Sequence, residues 1–253
     1  MSGRPAVLVI AGSDSSGGAG MVRDLQVLAA CGCDALCAIT AVTAQTHDQL
    51  ISVHHVPPQV VRAQIRAAFQ SATIGAVKIG MLGTGATVTA VADSLPQDGA
   101  IPIVLDPVLL SSSAGVLLDA QGRAEMRARL LPLTTVLTPN IPEAASLCGM
   151  APAASPEALL AQARTLLAMG PHAVLLKGGH GAGAEAVDLL LSAQSEPRWL
   201  ASPRLEARCR GTGCALASAI AAALAGGSSV EAACTSAKRH VLSLLTEKVP
   251  SGV

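Results

Sequence analysis

Tyrosine is absent from these 253 residues, and Phe69 and Trp199 are the only other aromatic side chains. Proteins that hold single-stranded nucleic acid stack bases on aromatic rings, so that class is disfavoured from the outset. An excess of charge is missing too, with 17 basic residues facing 17 acidic ones. No block of like charges supplies the electrostatic footprint of a phosphate-backbone binder. A membrane span is equally lacking. The longest uncharged stretch, Gly211 to Val230, is broken by Gly226, Gly227 and Ser228-Ser229, and falls short of the roughly 20 apolar residues a bilayer requires. Seven cysteines, odd in number and without a CxxC pair, argue against a disulfide frame or a zinc cage and for a reducing compartment. Arg4 is the only basic side chain upstream of the apolar Ala6–Ala11, which therefore does not read as a signal segment. The chain is expected to be cytoplasmic, with neither nucleic acid nor membrane as partner.

What is present is apolar and aliphatic: 51% of residues are hydrophobic and 13% charged. A chain of this length buries roughly 70% of its unfolded surface, enough for a substantial core. No linker or repeat divides it, and a single domain over residues 1–253 is expected. Short apolar runs bounded by Gly, Pro, Asn or Asp alternate with segments of helical period, the βαβ pattern of a mostly parallel sheet covered on both faces. Strands are predicted at Ala6–Ala11, Asp34–Thr43, Ile51–Val56, Ala76–Ile79, Ile101–Leu105, Thr135–Thr138, Ala173–Lys177, Ala186–Leu191 and Arg198–Leu205. Helices are predicted at Gly20–Cys31, Pro58–Ser71, Thr84–Leu95, Asp119–Leu130, Pro142–Cys148, Pro156–Met169, Gly213–Ala225 and Val230–Thr246.

Open parallel sheets bind ligands beyond the carboxyl ends of their strands, so the segments that follow each strand are the informative ones. The first, Gly12 to Gly20, lacks the Lys-Ser/Thr ending of a P-loop and the G-x-G-x-x-G spacing of a dinucleotide fold. It reads as a flexible turn or as a ligand-contacting loop. Asp24 lies one turn into the next helix, where the dipole alone would stabilise a carboxylate or a site would use it. Gly211-Thr212-Gly213-Cys214 is richer, because two glycines can turn successive N–H groups outward at the start of an apolar helix, making an anion hole. Phosphoryl transfer rests on such positioned donors. Cys214 is either a small buried cysteine or a base for a substrate hydroxyl. A helix start lowers a thiol pKa, and Arg210 beside it is expected to lower it further.

Asn140-Ile141-Pro142-Glu143 sets an amide and a carboxylate three apart at a strand-to-helix junction. The pattern suits a helix start, or Mg²⁺, which takes one or two carboxylates, waters and substrate phosphates. Asp106 supplies a second carboxylate at the same rim. Lys177 ends another strand as a counter-charge for phosphate, a position where lysine is uncommon without a partner.

Eight segments in order carry a family resemblance: AGSDSSGGAG (Ala11–Gly20), Asp24-Leu25, ITAVTAQ (Ile39–Gln45), KIGML (Lys78–Leu82), LDPV (Leu105–Val108), TPNIPEA (Thr138–Ala144), LLKGGH (Leu175–His180) and GTGC (Gly211–Cys214). From Val7 to about Leu245 the chain resembles the ribokinase superfamily, and within it the hydroxymethylpyrimidine/phosphomethylpyrimidine kinases of thiamine biosynthesis. The resemblance implies a three-layer α/β/α ribokinase-like fold. It implies transfer of phosphate from ATP with Mg²⁺ to 4-amino-5-hydroxymethyl-2-methylpyrimidine, then to its monophosphate, by a homodimer. Gly12, Asp24, Thr43, Gln45, Met81 and Val108 would surround the pyrimidine, with Asp24 and Gln45 at its polar edge. Lys177, Asp106 and Asn140 would handle ATP, Glu143 and Asp106 the metal, and Gly211, Thr212, Gly213 and Cys214 the catalytic anion hole and base. Arg210 stands where the family usually has His, and Thr46-His47 where it has Asn-Thr; its Gly-Pro-x-x-His tail is missing. A pyridoxal/pyridoxine kinase on the same scaffold and a non-catalytic pyrimidine-binding protein are the rival expectations.

Overall fold

The computed structural model describes residues 3–110, 115–178, 184–193, 195–205 and 210–247. Gly179 and His180 of the seventh-strand segment LLKGGH lie outside them. Among the described residues nine strands form one sheet in the order β3-β2-β1-β4-β5-β6-β7-β8-β9. They are β1 (Ala6–Asp14), β2 (Asp34–Gln45), β3 (Leu50–His55), β4 (Ile74–Ile79), β5 (Ile103–Leu105), β6 (Val136–Leu137), β7 (Ala173–Leu176), β8 (Glu185–Ser192) and β9 (Ser195–Pro203). The run from β2 to β7 is parallel, and β3, β8 and β9 add antiparallel edges.

Both faces of the sheet are covered, which is why its central strands read as unbroken apolar runs. On β1, Leu8 and Ile10 face one core while Val7 and Val9 face the other. Helices α1 (Gly20–Ala30), α7 (Thr212–Ala225) and α8 (Val230–Thr246) cover the second face. Helices α2 (Pro58–Ser71), α3 (Gly85–Ala92), α4 (Ala120–Glu125), α5 (Ile141–Cys148) and α6 (Pro156–Leu167) lie in chain order between β3 and β7. Val61, Ile65, Val88, Leu147 and Leu166 of that group fill the first face. The scarcity of aromatics has a geometric counterpart in α7. Its Ala215, Ala217, Ala219 and Ala221 are all buried, so backbone rather than side-chain bulk sets the helix-to-sheet distance. This is the three-layer α/β/α arrangement expected.

Chain direction reverses its progress across the sheet at β1: β2 lies on one side and β4 on the other. Loops leaving β1 and β4 therefore diverge, opening a crevice at their carboxyl ends.

Several boundaries differ from the sequence expectation for identifiable reasons. β5 starts at Ile103, because Pro102 has no N–H to give and only its carbonyl joins the ladder, to Val77. β6 has two residues instead of Thr135–Thr138. The helix expected over Asp119–Leu130 is regular only to Glu125 and widens to a π-turn at Met126–Leu130, followed by a 3₁₀ turn at Leu131–Leu133. α3 begins after a Thr84 cap, whose side chain accepts from the Thr87 N–H, and ends at Ala92. β9 starts three residues before the expected Arg198 and stops at Pro203.

Candidate active site

A cleft of about 950 Å³ runs along the carboxyl ends of the strands. Its first end is made by Gly12, Thr43, Gln45, Met81 and Val108, its middle by Asp106, Asn140, Glu143, Lys177 and Gly211 to Cys214. The far end reaches Asp188, Lys238 and the α8 side chains Val241, Leu242 and Leu245. Thirteen of the fourteen residues singled out from the sequence thus line one cavity; Asp24 is the exception.

The first end is held by short polar links. Ser15 Oγ accepts from the Gln45 N–H and donates to the Gln45 carbonyl, tying the glycine loop to the end of β2. Thr43 Oγ1 lies 3.2 Å from the Ser13 carbonyl and 3.4 Å from Gln45 Oε1. Gly211 precedes α7 at φ 74°, a left-handed conformation that costs glycine nothing. A Cβ there would also run into the Gly18 carbonyl. The glycine loop and the start of α7 are therefore backbone against backbone.

The middle of the cleft is charged. Lys177 Nζ donates to Asp106 Oδ1 at 2.8 Å. Burial works against the Lys177 charge, yet Asp106 and Glu143 hold its pKa above the ordinary value. Asn140 and Glu143 form a capping box at α5: Asn140 Oδ1 accepts from the Glu143 N–H, and Glu143 Oε2 from the Asn140 N–H, each at 2.8 Å. Burial pushes the Glu143 carboxyl up to about 7, against the pull of Lys177. The donor set suits a divalent cation shared with phosphate, since Glu143 and Asp106 flank one space and Lys177 adds a cation. A Cβ added at Gly213 would stand 3.2 Å from Lys177 Nζ and 3.6 Å from Asp106 Oδ2. Glycine there leaves free the room that a phosphoryl group needs. Among the described residues no cluster of three His, Cys, Asp or Glu side chains is arranged to hold a metal by itself.

Two expectations need correction. Asp24 does not reach the cleft: it is fully buried, and both of its oxygens accept from Lys78 Nζ, at 2.8 and 2.7 Å. Ser218 Oγ donates to the same carboxylate at 2.8 Å. Asp24, expected at the polar edge of the pyrimidine, is thus not among the residues that line the cleft. Nor is the Cys214 thiol lowered. Burial pushes it up to about 11, outweighing Lys78 and a hydrogen bond from the Gly20 backbone, while Asp24 and Asp106 raise it further. Arg210 is occupied elsewhere, its Nη1 donating to the Thr46 carbonyl at 2.6 Å and its Nη2 3.7 Å from Asp14 Oδ2.

Lys78 is the residue that sequence reasoning passed over, although KIGML was among the quoted segments. The visible signal was a lysine inside the apolar strand Ile74–Ile79. Burial opposes its charge but Asp24 holds it above the usual lysine range, and the bidentate geometry keeps the pair ionised. Asp188 and Lys238 were missed as well. Asp188 accepts from the Gly178 N–H at 2.9 Å and from Lys238 Nζ at 2.7 Å, linking α8 to the end of β7.

Comparison with known proteins places this geometry in a family. The family model described as phosphomethylpyrimidine kinase matches residues 14–253. A hydroxymethylpyrimidine/phosphomethylpyrimidine kinase of Streptomyces coelicolor is 43% identical over 249 residues, covering 98% of this chain and 91% of the relative. The crystal structure of a phosphomethylpyrimidine kinase from Clostridium difficile 630 superposes with a TM-score of 0.83 at 33% identity, covering 95% of this chain and 99% of that one. A Bacillus subtilis pyridoxal kinase, solved as an ADP complex, reaches a TM-score of 0.89 at 28% identity, covering 98% of this chain and 94% of that one. With a cleft of this build on a ribokinase-like sheet, the chain belongs to the phosphomethylpyrimidine kinase family.

Proposed function

We propose that the chain is one kinase domain that transfers the γ-phosphoryl group of ATP to the hydroxymethyl oxygen of 4-amino-5-hydroxymethyl-2-methylpyrimidine. The resulting monophosphate is then phosphorylated in turn, supplying the diphosphate for thiamine biosynthesis. The observation that carries this reading is the placement of the Gly211–Cys214 helix start, the Lys177–Asp106 pair and Glu143 around one space in the middle of the cleft.

Each group has a role that its surroundings support. Main-chain N–H groups of the first turn of α7 face developing charge on the transferring phosphoryl, backed by the helix dipole. Lys177 adds a fixed positive charge there, and Asp106 holds its ammonium in place. Glu143 and Asp106 would hold Mg²⁺, which when bound neutralises phosphate charge. Cys214 accepts the proton of the acceptor hydroxyl as that oxygen bonds to phosphorus. Gln45, Thr43, Met81, Val108 and Gly12 form the wall for the pyrimidine, Gln45 offering its amide to ring nitrogens and the amino group. The nucleotide occupies the end lined by Lys238, Val241, Leu242 and Leu245.

A cytoplasmic homodimer belongs to the same reading; the six described cysteines are all unpaired thiols, in keeping with a reducing compartment. No described helix is long and apolar enough to cross a membrane. Pyridoxal is the rival acceptor, because pyridoxal kinases share the fold. The deciding experiment is ADP release coupled to a reporter enzyme, with the pyrimidine alcohol, its monophosphate and pyridoxal compared at saturating MgATP. Turnover with the pyrimidine alcohol and its monophosphate is expected. Turnover with pyridoxal alone would transfer the assignment to the rival, and no ADP with any acceptor would leave a binding protein.

A further inference from the structure

Lysine 78 is fully buried, and it is the largest such side chain in the described structure. A buried ion pair is rarely a net source of stability, because desolvation offsets most of the attraction, so its presence calls for another account. Three elements meet at it: β4 brings Lys78, α1 brings Asp24, and α7 brings Ser218. Cys214 and Ser218 are four residues apart on α7 and share one face of that helix. The face that carries the thiol therefore also carries the hydroxyl that pins Asp24. Lys78 Nζ lies 2.9 Å from where a Cβ of Gly80, the residue just after β4, would stand, and Lys78 lines the cleft together with Cys214. Ammonium has three donors and the carboxylate takes two. Lys78 lines the cleft and Asp24 does not, so the pair is a dipole with its positive end on the cleft side.

We propose that the Asp24–Lys78 pair, pinned by Ser218, is a positioning device for Cys214: an oriented buried dipole whose positive end supports negative charge on the thiol sulfur in the reactive form. The proposal rests on the reading of Cys214 as proton acceptor. In that step the acceptor O–H bond breaks and its proton goes to Sγ. The oxygen pair bonds to the γ-phosphorus, and the bridging oxygen leaves with ADP. The charged groups around the thiol are Lys78 from β4, Asp24 from α1, Asp106 after β5 and Lys177 after β7. Of these, Lys78 is the leading influence favouring the thiolate, and Asp24 and Asp106 oppose it.

The test replaces the pair without leaving a lone buried charge. Asp24→Leu/Lys78→Met substitutes apolar bulk, and Asp24→Asn/Lys78→Gln keeps hydrogen bonding while removing both charges; either, if folded, decides the question. Alkylation of Cys214 by iodoacetamide is followed against pH by mass spectrometry on the unliganded protein, with exposed Cys31 as internal control. Cys214 alkylation at a fixed pH should slow by about threefold, half a pKa unit, with Cys31 unchanged. The pH profile of kcat should move upward by the same amount while the KM for ATP stays put. An unchanged Cys214 alkylation profile in a folded double variant overturns the proposal, whatever the kinase assay shows. Slowed alkylation in a protein that phosphorylates no acceptor would leave the proposal standing and remove the function.

Discussion

Arg210 Nη1 donates to the Thr46 carbonyl at 2.6 Å, fastening the residue before the α7 turn to the loop that follows β2. In the sequence, Arg210 and Thr46-His47 are two separate departures from the family pattern; in the structure they are one contact. His47 also packs beside the glycine loop, its Nδ1 3.3 Å from where a Gly18 Cβ would be. Arg210 thus braces the loop after β2 from the start of α7. Arg210→Ala is expected to raise the KM for the acceptor by about tenfold, the loss of one charge-assisted hydrogen bond, while the KM for ATP changes little. Equal changes in both constants in steady-state kinetics would contradict a local bracing role.

Cys214→Ala should lower kcat by about 10²- to 10⁴-fold, the usual span of general-base contributions, with ATP binding preserved because alanine retains the helix-start N–H groups. The thiol is pushed up to about 11 and the thiolate is the competent form, so below that value activity should climb with pH. Near-normal turnover of the alanine variant, or a flat profile between pH 7 and 9, would make the thiol a packing residue. Cys214→Asp is expected to retain part of the activity, since a carboxylate at that place can also accept the proton.

Glu143 provides a pH prediction with two readouts. Its folded pKa is raised to about 7, so the carboxylate that would hold Mg²⁺ is lost as pH falls through that value. The Mg²⁺ concentration for half-maximal rate should increase by about tenfold per pH unit below it. In the unliganded protein the sign reverses. A raised acid contributes stability below its ordinary pKa and loses it as pH rises through about 7, so thermal midpoints should fall from pH 5 to pH 8. Glu143→Gln should flatten both dependences and raise the Mg²⁺ requirement with every acceptor. Melting curves and metal titrations check the two arms separately.

In the proposed reading Gln45, which lines the cleft where Asp24 does not, carries the acceptor preference. A site built to hydrogen-bond rejects an analogue that leaves its polar groups unpaired, and pyridoxal lacks the exocyclic amine of the pyrimidine. The kcat/KM for the pyrimidine alcohol should exceed that for pyridoxal, and Gln45→Leu should erase most of the difference. A higher kcat/KM for pyridoxal in the wild-type protein would overturn the substrate assignment and leave the kinase chemistry intact.

Much of this was legible in the sequence because open parallel sheets put ligand loops at strand ends, and those loops are contiguous: Gly12–Gly20, Asp106–Val108, Asn140–Glu143 and Gly211–Cys214 were each readable locally. What failed was non-local. Asp24 looked like a helix-start carboxylate facing the cleft because nothing in its neighbourhood reveals a lysine 54 residues away. Cys214 looked reactive because helix position is a local cue, whereas the burial that raises it comes from the whole cleft floor. The π-turn at Met126–Leu130 was invisible for a similar reason. Its residues have ordinary helical period, and the widening precedes a Pro132 turn that closes onto Gly170.

Trp199 stands on β9 opposite Leu189, 43% exposed, four residues before Pro203, which lines the cleft. With no tyrosine in the chain and no second indole, emission excited at 295 nm arises from this strand alone. The protein therefore carries a built-in, background-free optical reporter on β9. Intrinsic fluorescence would follow the surroundings of this strand without any label, while one indole and no phenol leave absorbance at 280 nm weak for a chain of this length.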